Sequence, residues 1–113
     1  MLDDLTLKQL AVIYNRIAAT LEGVAKVSRF PSKGKAVAAV NRLLADAKET
    51  LIFVIEPDYQ KRGKAAERFP LYEDGMLASE YVAKCVELGH KSSHAKHDIR
   101  YDAKKGLITV VGK

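Results

Sequence analysis

The sequence contains few of the residues on which several classes of protein depend. Among its 113 residues there are one cysteine, three prolines and no tryptophan. A single cysteine, Cys85, excludes an internal disulfide and a zinc site built on several cysteines. No apolar run approaches the roughly 20 residues of a membrane-spanning helix. Asp3 and Asp4 stand where a secretory signal would have basic residues, so we expect no such signal and a cytoplasmic protein.

Positive charge exceeds negative charge, which favours a polyanionic partner. Lysine and arginine together number 19, aspartate and glutamate 14, and the formal net charge is +5. Residues 1–50 hold eight basic and five acidic side chains, and residues 76–113 hold seven and four, a net charge of +3 each. Hydrophobic residues make up 48% of the chain, which indicates a folded protein with a core.

The first half of the chain predicts a helical hairpin followed by a strand. Thr6 opens a capping-box pattern that begins a first helix. Ser32 is the expected cap of a second helix, which reaches about Lys48. Residues 51–55 are β-branched, aromatic or aliphatic throughout, as in a short buried strand.

The second half predicts two more helices and a terminal strand. Residues 57–68 are polar and are expected to form a linker or loop with at most one helical turn. A third helix is predicted over 77–88, and a fourth, capped by Ser92 or Ser93, runs to the lysines just before Gly106. Residues 107–111 form a second strand that is free to pair with the first.

These elements predict an α+β fold that is mostly α, with four helices, two short strands (about 51–55 and 107–111) and a C-terminal unit like a helix-turn-helix or winged helix. We expect an N-terminal helical hairpin plus strand over 1–56, a linker or loop over 57–68, and the helix-turn-helix-like module with its terminal strand over 69–113.

The C-terminal unit carries the functional prediction. Residues 77–111 have the order helix, short glycine-containing turn, helix and strand, which is typical of helix-turn-helix modules and their winged variants. The second helix needs only a narrow apolar seam (Ala95, Ile99 and Ala103) to pack against the first helix of the module. Its other faces are then free to contact DNA. The predicted DNA-binding residues are Lys91, Ser92, Ser93, His94, Lys96, His97, Arg100, Tyr101, Lys104 and Lys105. The predicted auxiliary phosphate contacts, from a stretch without acidic residues, are Arg29, Lys33 and Lys35.

The pattern over residues 77–111 resembles a winged-helix or helix-turn-helix module, and the whole chain resembles the small basic proteins that tailed bacteriophages encode. This resemblance implies nucleic-acid binding or an interaction with host machinery, in the cytoplasm of the host.

Other kinds of site find little support in the sequence. His90, His94 and Asp98 are spaced by four, but no second ligand pair joins them, so we expect no metal. Cys85 lies on the inward stripe of a helix and is expected to be a buried small hydrophobe. No nucleotide-binding loop, nucleophile or acid–base pair stands out, so we expect neither an enzyme nor a cofactor.

The sequence therefore predicts a small basic DNA-binding protein, either sequence-nonspecific or regulatory in transcription, that contacts duplex DNA and no membrane. Because its charge is modest, a homodimer is a plausible binding unit. The alternative is a non-enzymatic protein-interaction module, such as a phage factor that binds a host protein.

Overall fold

A computed structural model describes residues 1–112, which form two compact units. The first unit is Met1–Glu49 together with Gly112, and the second is Thr50–Val111. The fold is α+β and mostly helical, as the sequence predicts. Among the described helices, none is both long enough and apolar enough to cross a lipid bilayer.

The first unit is a pair of helices, α1 (Leu7–Ala18) and α2 (Lys33–Ala47), that pack against each other. The predicted capping box at Thr6 and the predicted cap at Ser32 are both confirmed. Each cap oxygen accepts a backbone N–H from the first turn of its helix, a group that has no partner inside the helix.

Side chains from the facing stripes of α1 and α2 make the core of the first unit. Leu10, Ile17, Val40 and Leu44 are all fully buried. Asn15 of α1 forms two hydrogen bonds with the connection between the helices. Its side-chain amide donates to the carbonyl oxygen of Val27 and accepts the N–H of the same residue, both at 2.8 Å.

The second unit is a small sheet with helices. Its elements are β1 (Thr50–Val54), α3 (Ala65–Arg68), β2 (Met76–Leu77), α4 (Ala78–Glu87), α5 (Ser92–Lys105) and β3 (Ile108–Gly112), with one turn of 3-10 helix over Phe69–Leu71. The strand order is β2-β1-β3. β1 and β2 are antiparallel, with Ile52 opposite Met76.

Both predicted strands are confirmed within one residue of their expected ends, and so is their pairing. The structure adds β2, a strand of two residues that is too short to leave an alternating pattern in the sequence. It also adds α3, the one helical turn that the sequence allowed within 57–68.

β1 belongs to the second unit, whereas the sequence grouped residues 51–55 with the N-terminal hairpin. The reason is its hydrogen bonding, since both of its partner strands lie in the second unit. The segment 57–68, expected to be a linker or loop, belongs to that unit as a loop with one helical turn, and it supplies the buried side chain of Arg68.

The core of the second unit surrounds Tyr81 and Cys85 of α4, which are both fully buried. Ile52 of β1 and Ile108 of β3 pack in the same cluster. Burial raises the pKa of the Cys85 thiol, because a thiolate is poorly solvated among apolar groups. The expectation that Cys85 is a buried hydrophobe is therefore confirmed.

Candidate nucleic-acid interface

Two helices and a short turn form the corner that the sequence predicts. α4 ends at Glu87, Gly89 adopts a positive φ of 95° in the turn, and α5 begins at Ser92. The residue at the cap position of α5 is Lys91, and no described side chain accepts a hydrogen bond there. The prediction that Ser92 or Ser93 caps this helix is wrong, because both serines already lie inside its first turn.

The inner face of α5 carries two buried carboxylates in addition to its apolar seam. Ala95 is fully buried, as predicted, while Ile99 and Ala103 are half-buried. Asp98 and Asp102 are 7% and 1% exposed and share this inner face. The seam predicted as purely apolar is therefore partly polar, and its charges require partners.

Arg68 and Tyr81 hold Asp98. The Nε of Arg68 donates to Oδ2 of Asp98 at 2.5 Å, and its Nη2 donates to Oδ1 at 3.1 Å. The hydroxyl of Tyr81 donates to Oδ2 at 2.9 Å. The hydrogen bond to Asp98 raises the pKa of Arg68, so the guanidinium keeps its charge.

Lys61 and Tyr72 hold Asp102. The Nζ of Lys61 forms an ion pair with Oδ1, and the Tyr72 hydroxyl donates to Oδ2 at 2.7 Å. The rings of Tyr72 and Tyr81 stack with centroids 4.1 Å apart and link the two carboxylate sites. Burial raises the pKa of both tyrosines, so both keep their donor protons.

This network leaves the outward face of α5 without acidic residues. Asp98 and Asp102 are the only acidic residues in the α5 sequence, and both point inward to cations of the segment 61–68. The predicted contact residues from Lys91 to Lys105 are all exposed. Charge on this face is therefore not offset by any acid of the helix itself.

Helix geometry decides which of the exposed residues share a face. Lys96, Arg100 and Lys104 are spaced by four and form one row along α5, which we call the cationic row. Ser93 and His97 flank this row. His94 lies about 160° around the helix from Lys96 and is not part of it.

A second cluster, the tyrosine–lysine cluster, lies beside the cationic row. It consists of Tyr59, Lys61, His97, Tyr101 and Lys105. The Nζ of Lys61 is 5.1 Å from the centroid of Tyr101, and the Nζ of Lys105 is 5.6 Å from it. Lys105 also donates to the Tyr59 hydroxyl at 2.7 Å, and this bond raises the pKa of Lys105. The sequence did not point to Lys61, because nothing in its polar segment indicates a contact with Asp102, 41 residues away.

The predicted auxiliary contacts lie in the first unit, where Arg29, Lys33 and Lys35 are all exposed. Lys33 donates through Nζ to the carbonyl oxygen of Asp3 at 3.3 Å. Arg29 lies three residues before Ser32, the cap of α2, Lys35 lies in the first turn of that helix, and both are exposed.

The histidine and carboxylate groups near α5 do not assemble into a metal site. Asp98 is paired with Arg68, and the Nδ1 of His90 lies 3.2 Å from Nη1 of the same arginine. Across residues 1–112 there is no group of three or more histidine, cysteine or acidic side chains that could hold a metal ion.

Comparison with protein-family models, with curated proteins and with solved structures finds no match. The geometry and charge of α5 are therefore the features of this chain that indicate a function.

Proposed function

We propose that the protein binds duplex DNA through the outward face of α5. The observation that carries this proposal is the separation of charge on that helix: both acids are buried and paired, while the cationic row faces solvent. Phosphates attract such a face, and each contact releases condensed counterions from the DNA. Binding of this kind is non-enzymatic and requires no cofactor.

The start of α5 supports the same proposal. Its first turn has exposed Ser92 and Ser93, and no side chain among the described residues caps it. Free backbone N–H groups and the positive end of the helix dipole attract a phosphate there. In a helix-turn-helix arrangement these positions approach the base edges, and a regulatory role in the cytoplasm of a phage-infected host is part of this proposal.

The first unit offers a second, weaker contact. Arg29, Lys33 and Lys35 are exposed without an acidic neighbour between Glu22 and Asp46 in the sequence. We propose that they contact the phosphate backbone without reading sequence. A homodimer would double both surfaces and raise the affinity of a modestly charged chain.

One observation favours the alternative of a protein-interaction module. At the end of α4, Val86 and Leu88 are 49% and 59% exposed, so this end of the helix offers apolar surface to another protein. On this reading the phage-like chain binds a host protein, and the charge of α5 serves solubility.

A gel shift with random-sequence duplex DNA separates the two functions. We expect a shift at about 50 mM salt that weakens strongly at about 200 mM, because the contacts are mainly to phosphate. Absence of a shift at the lower salt would favour the protein-interaction module, and Leu88→Ser would then be the variant to test against host lysate.

A further inference from the structure

We propose that residues 62–64, which we call the basic loop, form a second phosphate-binding element on the flank of α5. Its two cations, Arg62 and Lys64, contact one backbone of the duplex whose groove α5 occupies. This inference rests on the proposed function and adds to it a surface that the sequence predicted to be a linker or loop.

Two ion pairs hold the segment that contains the basic loop against α5. Before the loop, the Nζ of Lys61 pairs with Asp102. After the loop, the Nε of Arg68 donates to Asp98 at 2.5 Å. Both carboxylates are buried, so Lys61 and Arg68 serve as anchors and are not offered to DNA. Because both ends of residues 62–67 are fixed, less conformational entropy is lost when side chains of this segment bind a ligand.

The basic loop turns outward between these two anchors. Gly63 adopts a φ of 61°, in the left-handed region, within the turn that precedes α3. Apart from its chain neighbours, no described atom lies within 4 Å of the position that a Cβ would occupy at Gly63. Arg62, Gly63 and Lys64 are all exposed. A duplex can therefore approach the loop without displacing another part of the unit.

Both cations of the basic loop are available to a ligand. Within residues 1–112, the side chains of Arg62 and Lys64 form neither a hydrogen bond nor an ion pair. The only acid between the two anchors is Glu67 of α3, and its Oε1 lies 3.3 Å from the Nε2 of His90, away from the loop. The charges of Arg62 and Lys64 are therefore free to attract phosphates.

The contacts of the neighbouring residues show on which flank of α5 the basic loop lies. The Nζ of Lys61 is 5.1 Å from the centroid of Tyr101, and the Tyr59 hydroxyl accepts a hydrogen bond from Lys105. Tyr101 lies about 100° around the helix from Arg100 of the cationic row, so the segment flanks the row and leaves it open. A helix in the major groove has a phosphate backbone on each side, and cations on its flank meet that backbone.

The chain that follows α5 offers no comparable contact. Residues 106–112, which include β3, contain no charged side chain. Such a stretch cannot neutralise a phosphate with a side-chain cation. The flanking contact is therefore made by the segment before α4, namely the basic loop.

The test measures the salt dependence of duplex affinity for Arg62→Ala/Lys64→Ala. Each phosphate contact contributes about 0.9 to the slope of log affinity against log salt, so loss of both should decrease its magnitude by about 1.8. The matched control, Lys8→Ala/Arg42→Ala, removes the same two residue types from exposed positions in the first unit and should keep the wild-type slope. Arg62→Lys/Lys64→Arg keeps both charges and should also keep it.

The outcomes separate this inference from the proposed function. A wild-type slope in Arg62→Ala/Lys64→Ala, or an equal decrease in the first-unit control, would overturn the basic loop while duplex binding stands. Failure of the wild-type protein to bind duplex DNA at about 50 mM salt would overturn both proposals.

Lysine labelling provides a readout that requires no variant. Bound duplex should lower the rate at which Lys64 is acetylated and leave the rate at Lys8 unchanged, as measured by mass spectrometry of the labelled protein. Equal labelling of Lys64 with and without duplex would contradict the proposal.

Discussion

At the scale of single residues, the two buried aspartates of α5 are the most consequential side chains in the second unit. Asp98 accepts hydrogen bonds from both Arg68 and Tyr81, and Asp102 from Lys61 and Tyr72. A charge that is paired and hydrogen-bonded is tolerated in a protein interior, but a charge that loses its partner is not. Removing either carboxylate therefore leaves its partner, Arg68 or Lys61, without a counter-ion.

We expect Asp98→Ala to lower the free energy of unfolding by about 3–5 kcal/mol, because Arg68 would remain buried without its counter-ion. The matched control is Lys84→Ala, which breaks the exposed ion pair with Glu73 and should change stability by about 1 kcal/mol or less. Urea denaturation of both variants measures the difference. Equal losses in the two variants would contradict the assignment of Asp98 to a buried network.

Alkaline pH should destabilise the protein. The pKa values of Tyr72, Tyr81 and Cys85 are all raised, chiefly by burial, so the folded state keeps these protons. In the unfolded chain the same groups lose their protons above about pH 9 to 10. The unfolded state then binds fewer protons than the folded state, so the free energy of unfolding falls as pH rises.

Urea midpoints measured between about pH 8 and 11 test this expectation. The fall should be shallower in Tyr72→Phe, which removes one of the three groups. A free energy of unfolding that stays flat over this range would show that these side chains are not buried as neutral acids.

The sequence could not reveal the ion pairs that Asp98 and Asp102 form. Asp98 and Asp102 stand in a polar segment, four residues apart, where acids are ordinarily solvated. Their partners lie 30 and 41 residues away in the chain, and a pattern within one helix contains no information about contacts at that separation.

At the scale of elements, the local signals predicted the helices of the first unit well. The capping box at Thr6 and the cap at Ser32 are where the sequence placed them, because these contacts form within one turn. The first helix ends at Ala18, five residues before Gly23, the first glycine after it and a plausible stop in the sequence. Helix ends are weakly specified by local sequence.

The start of α5 differs from the starts of α1 and α2, because no side-chain cap is present there among the described residues. Lys91 occupies the cap position with extended backbone angles of −77° and 143°, but its side chain accepts no hydrogen bond. Serine at this position has an oxygen that accepts an N–H of the first turn. We expect Lys91→Ser to raise the free energy of unfolding by about 1 kcal/mol, as measured by urea denaturation.

Lys91→Ala is the control for that variant, since it removes the same charge without adding a cap. A higher free energy of unfolding in Lys91→Ser but not in Lys91→Ala assigns the effect to capping. Equal stability of the two variants would show that the backbone at this position does not adopt the cap geometry.

At the scale of the whole molecule, the distribution of charge says more about the surface of α5 than the net charge of +5 does. Burial removes the two acids of that helix from the surface, and Lys61 and Arg68 neutralise them. The sequence identified the exposed residues of α5, because cationic residues are almost always solvated. It could not identify the tyrosine–lysine cluster beside the cationic row, since the contacts of Tyr59 and Lys61 depend on the packing of the segment 57–68.

The most direct test of the central claim is the dependence of duplex affinity on salt for three proteins. The variant Lys96→Ala/Arg100→Ala removes two charges of the cationic row. Its control, Lys8→Ala/Arg42→Ala, removes one lysine and one arginine that are exposed on helices of the first unit. If the row contacts two phosphates, the slope of log affinity against log salt should decrease in magnitude by about 2 in the first variant and stay unchanged in the control. An equal slope in all three proteins would contradict the claim that the outward face of α5 binds DNA.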